Sequence, residues 1–186
     1  MMKNDRKQDN PLGSANGRFE VTRLRAMALC LLLLGNSFLA LRAEASGQVR
    51  LATGQELAST LAALHGKLVV LNLWGTWCAP CLKEIPDLMQ LERELADHNL
   101  KLVAVAMDDP ADLAMVDGFR ARFFPDLDSY LRNEPDMNAL VSVVDSRWNT
   151  LLPTTYLIGR DGRVIKRIQG KKSLEALRSE VKALLR

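Results

Sequence analysis

From Thr53 onward, apolar residues follow two habits in turn: short unbroken runs, and positions recurring at intervals of three and four. Unbroken runs between turn residues suit strands covered on both faces, whereas the three-four spacing suits helices with one buried stripe. Thr53–Leu64 (TGQELASTLAAL) reads as a helix, with Thr53 and Glu56 forming a capping box and Gly66 placed to end it. Leu68–Leu73 (LVVLNL) reads as a buried strand. Cys81–Ala96 sets Leu82, Ile85, Leu88, Leu91 and Leu95 on one stripe, a helix expected to bend at Pro86, which has no N–H to donate. Leu102–Met107 (LVAVAM) is a second buried strand, closed by Asp108-Asp109-Pro110. Asp112–Phe124 follows as a helix with Leu113, Val116, Phe119 and Phe123 as its apolar positions. Pro125–Trp148 is less regular and reads as a short strand or turn, then a helix near Met137–Val144.

Thr154–Ile158 (TTYLI) and Val164–Ile168 (VIKRI) are β-branched strands around Gly159-Arg160-Asp161-Gly162, whose Asp-Gly pair favours a tight hairpin. Ser173 then caps a last helix with Leu174, Leu177, Val181 and Leu184 on one face. The order α-β-α-β-α-(α)-β-β-α predicts an α/β domain with a mixed central sheet and helices on both faces. Neither an internal repeat nor a long linker interrupts it.

The first 45 residues differ in kind. Ala26–Leu41 is a run of sixteen uncharged residues directly after Arg23 and Arg25, and Ala43-Glu44-Ala45 follows as a small-x-small site. A basic region, an apolar stretch and such a site make a secretory signal, cut before Ser46. Sixteen residues fall short of the roughly 20 that span a bilayer upright, although Arg25 and Arg42 could snorkel and leave residues 26–41 as an anchor. The expected division is therefore 1–45 as signal peptide or membrane anchor and 46–186 as the folded domain, in a periplasmic or otherwise extracytoplasmic compartment.

Charge and cysteine counts change meaning under that division. The whole chain of 186 residues carries +3, from 25 basic and 22 acidic residues. Residues 1–45 hold seven of the basic and four of the acidic ones, which leaves 18 of each from Ser46 onward. A neutral body gives no indication of the basic groove that nucleic acid requires. Of three cysteines, Cys30 lies in the apolar stretch, so the body keeps one pair, Cys78 and Cys81.

That pair stands where a buried strand passes into a helix. Two intervening residues let the sulfurs close a small ring, and the helix start puts Cys78 near backbone N–H groups and the positive end of the dipole. Such a place stabilises a thiolate, the nucleophile of disulfide exchange. Cys78 is expected to be the more exposed, attacking sulfur and Cys81 the buried, resolving one. An inert disulfide or half of a zinc site are the other readings, but the body offers only His65 and His98 as imidazoles, neither at finger spacing. Glu84, at the edge of the apolar stripe, is expected to be partly buried, with a raised pKa, and able to accept a proton during exchange. An exposed helix glutamate is the alternative.

Trp74-Gly75-Thr76-Trp77-Cys78-Ala79-Pro80-Cys81-Leu82-Lys83-Glu84-Ile85-Pro86 resembles the active site of thioredoxin-fold proteins of the TlpA/ResA-like thiol–disulfide oxidoreductase family, whose marker W-C-x-P-C-x-x-E-x-P it matches in full. Leu152-Pro153-Thr154-Thr155-Tyr156-Leu157-Ile158, with a turn ending at Gly162, resembles the second signature of that family. The resemblance runs from about Leu68 to Leu185 and implies a thioredoxin-like fold. It implies Cys78, Cys81 and Glu84 as catalytic residues, and Trp77, Leu152, Pro153 and Thr154 as substrate-binding ones. It also implies a cis Pro153 facing the cysteines, and X–Pro is the one peptide bond at which cis is cheap. The backbone of Leu152 would then turn towards an extended peptide. Asn72 departs from cytoplasmic thioredoxins, which place a buried acid there; asparagine cannot shuttle a proton, so carboxylate assistance must come from elsewhere. Trp74 and Trp77 are expected either to shield the disulfide or simply to pack, Trp148 is a weaker candidate to extend that surface, and Lys171-Lys172 reads as a solvated turn.

The expected function is an exported thiol–disulfide oxidoreductase of the protein-disulfide reductase type. It would act on a disulfide-containing protein, be reset by a membrane electron donor and need neither cofactor nor metal. Peroxide reduction lacks its P-x-x-x-T-x-x-C site here. A copper-site assembly or delivery module on the same fold would space its cysteines by three residues and use a distant histidine, and a non-enzymatic adaptor would not need the cysteines at all.

Overall fold

The computed structural model describes residues 47–185; the signal or anchor reading and Cys30 lie outside them. Six strands form one sheet in the order β1-β4-β3-β2-β5-β6. They are β1 (Val49–Ala52), β2 (Leu68–Trp74), β3 (Leu100–Ala106), β4 (Ser129–Arg132), β5 (Thr154–Ile158) and β6 (Val164–Gln169). The first four in that order run parallel, β5 is antiparallel to β2, and β6 is antiparallel to β5, so the sheet is mixed. The helices are α1 (Gly54–Ala63), α2 (Ala79–Glu94), α3 (Leu113–Phe123), α4 (Met137–Val141) and α5 (Leu174–Ala183).

Period-two alternation divides the core between the two faces. Leu68, Val70 and Trp74 of β2 join Ile85, Leu88 and Leu91 of α2, Val116 of α3 and Leu177 and Val181 of α5. Val69, Leu71 and Leu73 join Leu57 of α1 and Leu140 and Val141 of α4 on the other side. All seven residues of β2 are buried, which is why its sequence shows no polar alternation. Asn72 falls in the same alternating set as Val70 and Trp74, and therefore faces α2.

Thr53 caps α1 with the expected capping box. The β5–β6 hairpin turns at Gly162, whose φ of +77° favours glycine. Pro86 lies within α2, which stays a single helix from Ala79 to Glu94, and a separate 3-10 turn follows at Ala96–His98. Three expectations are corrected. The edge strand β1 gave no signal, being four residues long with Arg50 and Leu51 in its middle. Helix α4 stops at Val141 rather than Val144. In α3 it is Arg120 that turns inward, donating to Asp117 at 3.1 Å and to the Pro125 carbonyl at 2.7 Å, while Phe123 is 53% exposed. The helix ends there, and Phe124 takes the inward place, edge-on to Trp74 at 6.4 Å.

Candidate active site

The C-terminal ends of β2 and β3 and the start of β5 meet at one edge of the sheet, because Trp74 pairs with Ala106 and Leu73 with Thr154. Parallel sheets place their sites at this edge. Trp74 is fully buried, with its indole donating to Ser129 of β4 at 3.0 Å, so it is a core residue and not a shield. The chain then turns through Gly75-Thr76-Trp77. Asp108, at the end of β3, clasps that turn: its carboxylate accepts from the Thr76 N–H at 3.1 Å and from the Thr76 hydroxyl. Trp77 is left 62% exposed.

Cys78 is the N-cap of α2, and its sulfur accepts from the Cys81 N–H at 3.3 Å. The two cysteines form a disulfide with Cα atoms 5.2 Å apart. Both sulfur-bearing residues are buried, Cys78 at 5% exposure and Cys81 at 1%. Pro80, inside the first turn, occupies a place where its missing N–H costs nothing.

Glu84 sits one turn further along α2 and is only 1% exposed. Its Oε1 accepts from the Lys172 N–H at 2.8 Å and its Oε2 from the Asn72 amide at 3.3 Å. Asn72 also donates to Thr155 Oγ1 at 2.9 Å, its register partner on β5. Burial pushes the Glu84 carboxyl above its ordinary value; the Lys172 N–H, the Lys171 charge and the Asn72 amide oppose this without cancelling it. Lys171 also faces Asp87, with Nζ 3.8 Å from Oδ2. The segment read as a solvated turn does keep Lys171 and Lys172 exposed, its backbone also covers the carboxylate, and Glu84 is deeper than the helix pattern implied.

The Leu152–Pro153 bond is cis, and the Pro153 carbonyl accepts from the Gly170 N–H at 2.9 Å. Gly170 has φ +73°, a conformation that suits glycine and starts the segment leading to Lys172. Leu152 is half-buried, and neither its N–H nor its carbonyl has a partner among the described residues. Thr154 is buried, its hydroxyl donating to the Leu151 carbonyl at 2.6 Å and accepting from the Trp148 indole at 3.2 Å. Its side chain fixes the loop before Pro153, and Trp148 is a buried strut of that loop rather than an extension of the surface. The sequence did not single out Asp108 as the clasp of the Thr76 turn or the Lys172 N–H as a partner of Glu84. An aspartate ending a buried strand was visible for the first, but nothing local signals the second.

A family model described as the AhpC/TSA family matches residues 44–167. The chain belongs to this family. The chain is 30% identical over 124 residues to the thiol-disulfide oxidoreductase ResA of Bacillus thuringiensis (strain Al Hakam), covering 65% of each chain. It is 34% identical over 111 residues to ResA of Bacillus subtilis (strain 168), covering 59% of this chain and 57% of that one. The match therefore spans less than two thirds of these relatives. Among solved structures, a thiol:disulfide interchange protein of the thioredoxin family from Chlorobium tepidum TLS superimposes with a TM-score of 0.56 at 25% identity, over 67% of this chain and 84% of that one. The fold is thioredoxin-like, and the resemblance to ResA-like proteins read from the two motifs is borne out by these relatives.

Proposed function

We propose that the protein is an exported thiol–disulfide oxidoreductase that reduces disulfides in a partner protein. The observation that carries this reading is the Cys78–Cys81 disulfide at the start of α2 with the buried Glu84 carboxyl one turn behind it. In the dithiol form, the Cys78 thiolate attacks one sulfur of the partner disulfide, forming a mixed disulfide and releasing the other sulfur as a thiolate. Cys81 then gives its proton to the Glu84 carboxylate and attacks Cys78 Sγ. The mixed disulfide breaks, the Cys78–Cys81 bond forms, and the second partner sulfur leaves. Two electrons have passed to the partner, and the proton on Glu84 goes to the departing thiolate or to solvent. A raised proton affinity brings the Glu84 carboxyl closer to that of a thiol, which is what such a transfer needs.

The unpartnered backbone groups of Leu152 suit an extended peptide beside the disulfide, and the exposed Trp77 and Leu151 offer it apolar contact. Export rests on the pattern of residues 1–45, with 46–186 as the working domain and a membrane electron donor resetting the pair. The direct experiment follows reduction of a model protein disulfide by the reduced, purified protein. The wild type is expected to turn over, and Cys78→Ala to lose all activity. A wild type that reduces no disulfide, or a Cys78→Ala protein as active as the wild type, contradicts the proposal.

A further inference from the structure

The cluster behind the disulfide contains one polar atom that its neighbours do not satisfy. Asn72 is 1% exposed, both of its amide hydrogens are used, towards Glu84 Oε2 and Thr155 Oγ1, and its Oδ1 has no partner among the described residues. A buried carbonyl without a donor is a cost that the chain could have avoided with an apolar residue. The chemistry of Glu84 supplies a reason for an amide at this place.

The two oxygens of Glu84 are not equivalent. Oε1 faces the Lys172 N–H, a backbone donor that stays a donor whatever the carboxyl does. The carbonyl oxygen is the better acceptor for that N–H, so a proton on Glu84 is favoured on Oε2, the oxygen facing Asn72. An amide nitrogen there serves the carboxylate, and an amide oxygen there serves the acid. The two ends of an asparagine side chain are nearly the same size, and rotation by half a turn exchanges them. Thr155 follows without moving, because a hydroxyl accepts from the nitrogen in one state and donates to the oxygen in the other. Either orientation leaves one end of the amide unpartnered, so the unsatisfied Oδ1 is one half of a two-way arrangement.

We propose that Asn72 is a positioning residue whose amide turns over with the protonation of Glu84, donating to the carboxylate and accepting from the acid. This rests on Glu84 being the proton acceptor of the exchange. The inner wall around Oε2 is neutral, made by Asn72 of β2 and Thr155 of β5. The charges facing the carboxyl come from Lys171 on the covering segment and Asp87 on the same helix, and the Cys78–Cys81 pair lies one turn before it. An acid in place of Asn72 would compete for the same proton, and an apolar residue would leave Oε2 with no partner in either state.

The test is a pH titration of the intact protein by NMR, following the Glu84 side-chain carboxyl carbon and the Asn72 side-chain NH2 group. With the disulfide intact, the nuclear Overhauser effects from the Asn72 NH2 protons to the Thr155 side chain are expected above the Glu84 midpoint. They should weaken severalfold below it, and Glu84→Gln should abolish the pH dependence. In Asn72→Leu, both protonation states lose a partner, so the proton affinity of Glu84 should change by less than about threefold. Overhauser effects that are the same on both sides of the midpoint overturn the turnover, as does a tenfold or greater rise in affinity in Asn72→Leu, since the amide would then serve only the carboxylate. A Glu84 that fails to titrate overturns the proton-acceptor reading itself, a result distinct from a titrating Glu84 beside an unmoving amide.

Discussion

Helix α2 carries a glutamate near each end, and both are held by the C-terminal segment, with opposite results. Glu94 meets Arg178 of α5 in a two-pronged pair at 2.8 and 2.9 Å, accepts from Gln90, and stands at the solvent boundary. The hydrogen bonds from Arg178 and Gln90 pull its carboxyl below the ordinary value. Glu84 meets no guanidinium. It meets a backbone N–H, a neutral amide, the charge of Lys171 on the covering segment and the interior, and burial outweighs the rest and pushes its carboxyl up. The residue type, the helix and the covering segment are shared, so the difference lies in what replaces water. A full opposite charge at the surface stabilises the carboxylate, whereas burial, which the donors around Glu84 only partly offset, leaves it poised to take a proton. The N-terminal end of α2 is thereby suited to chemistry and the C-terminal end to fastening.

The largest effect that would break this comparison concerns the cysteines beside Glu84. Cys81→Ser should leave a stable mixed disulfide on Cys78 after mixing with a disulfide-containing protein, seen on non-reducing gels, while Cys78→Ser should capture none. Equal capture by both variants would remove the division of roles.

A smaller effect concerns the cover over Glu84. Gly170 holds φ +73° with nothing within 4 Å of where a Cβ would stand, so Gly170→Ala meets only backbone strain and should cost about 1–2 kcal/mol in denaturant unfolding. Gly118 has equal space but sits inside α3 without a positive φ, and Gly118→Ala should stabilise by about 0.5–1 kcal/mol. Equal effects of the same sign would mean that the covering segment is not held as described.

The smallest effects are in the pH dependence of stability, where the two glutamates should oppose each other. A raised folded pKa means that the folded state binds more protons, so Glu84 takes away stability as pH rises from the ordinary carboxylate range through its raised value. Glu84→Gln should therefore gain melting temperature relative to the wild type as pH rises. A lowered folded pKa means that Glu94 contributes stability above the ordinary range and loses it as pH falls through its depressed value. Glu94→Gln should lose slightly at neutral pH, lose nothing once that value is passed, and show no deficit at high salt, as exposed pairs do.

The parts of the molecule legible in the sequence are those whose cause is local. Leu68–Leu73 reads as a strand because both faces of β2 are covered, and Thr53 and Glu56 cap α1 within three residues of each other. The Cys78–Cys81 pair is spelled out by neighbouring residues, and the cis Leu152–Pro153 bond is implied by the resemblance of the motif around it. What was not legible depends on distant partners. Glu84 is buried because Lys172, 88 residues away, folds over it, and Thr76 is fixed by Asp108 from 32 residues away. Arg120 and Phe124 changed places with Phe123 because the end of α3, not its spacing, decides which side chain turns inward. Nothing beside Trp148 decides between surface and core; it is buried because Thr154, six residues on, accepts from its indole.

The most direct test of the proton-acceptor role follows single-turnover reduction of a protein disulfide by the dithiol form, from acid to alkaline pH, for the wild type and Glu84→Gln. The account predicts a wild-type rate that rises with an inflection above the ordinary carboxylate range. That inflection should be absent in Glu84→Gln, whose rate should be about 10²-fold lower on the plateau. Two profiles that superimpose at every pH would contradict it.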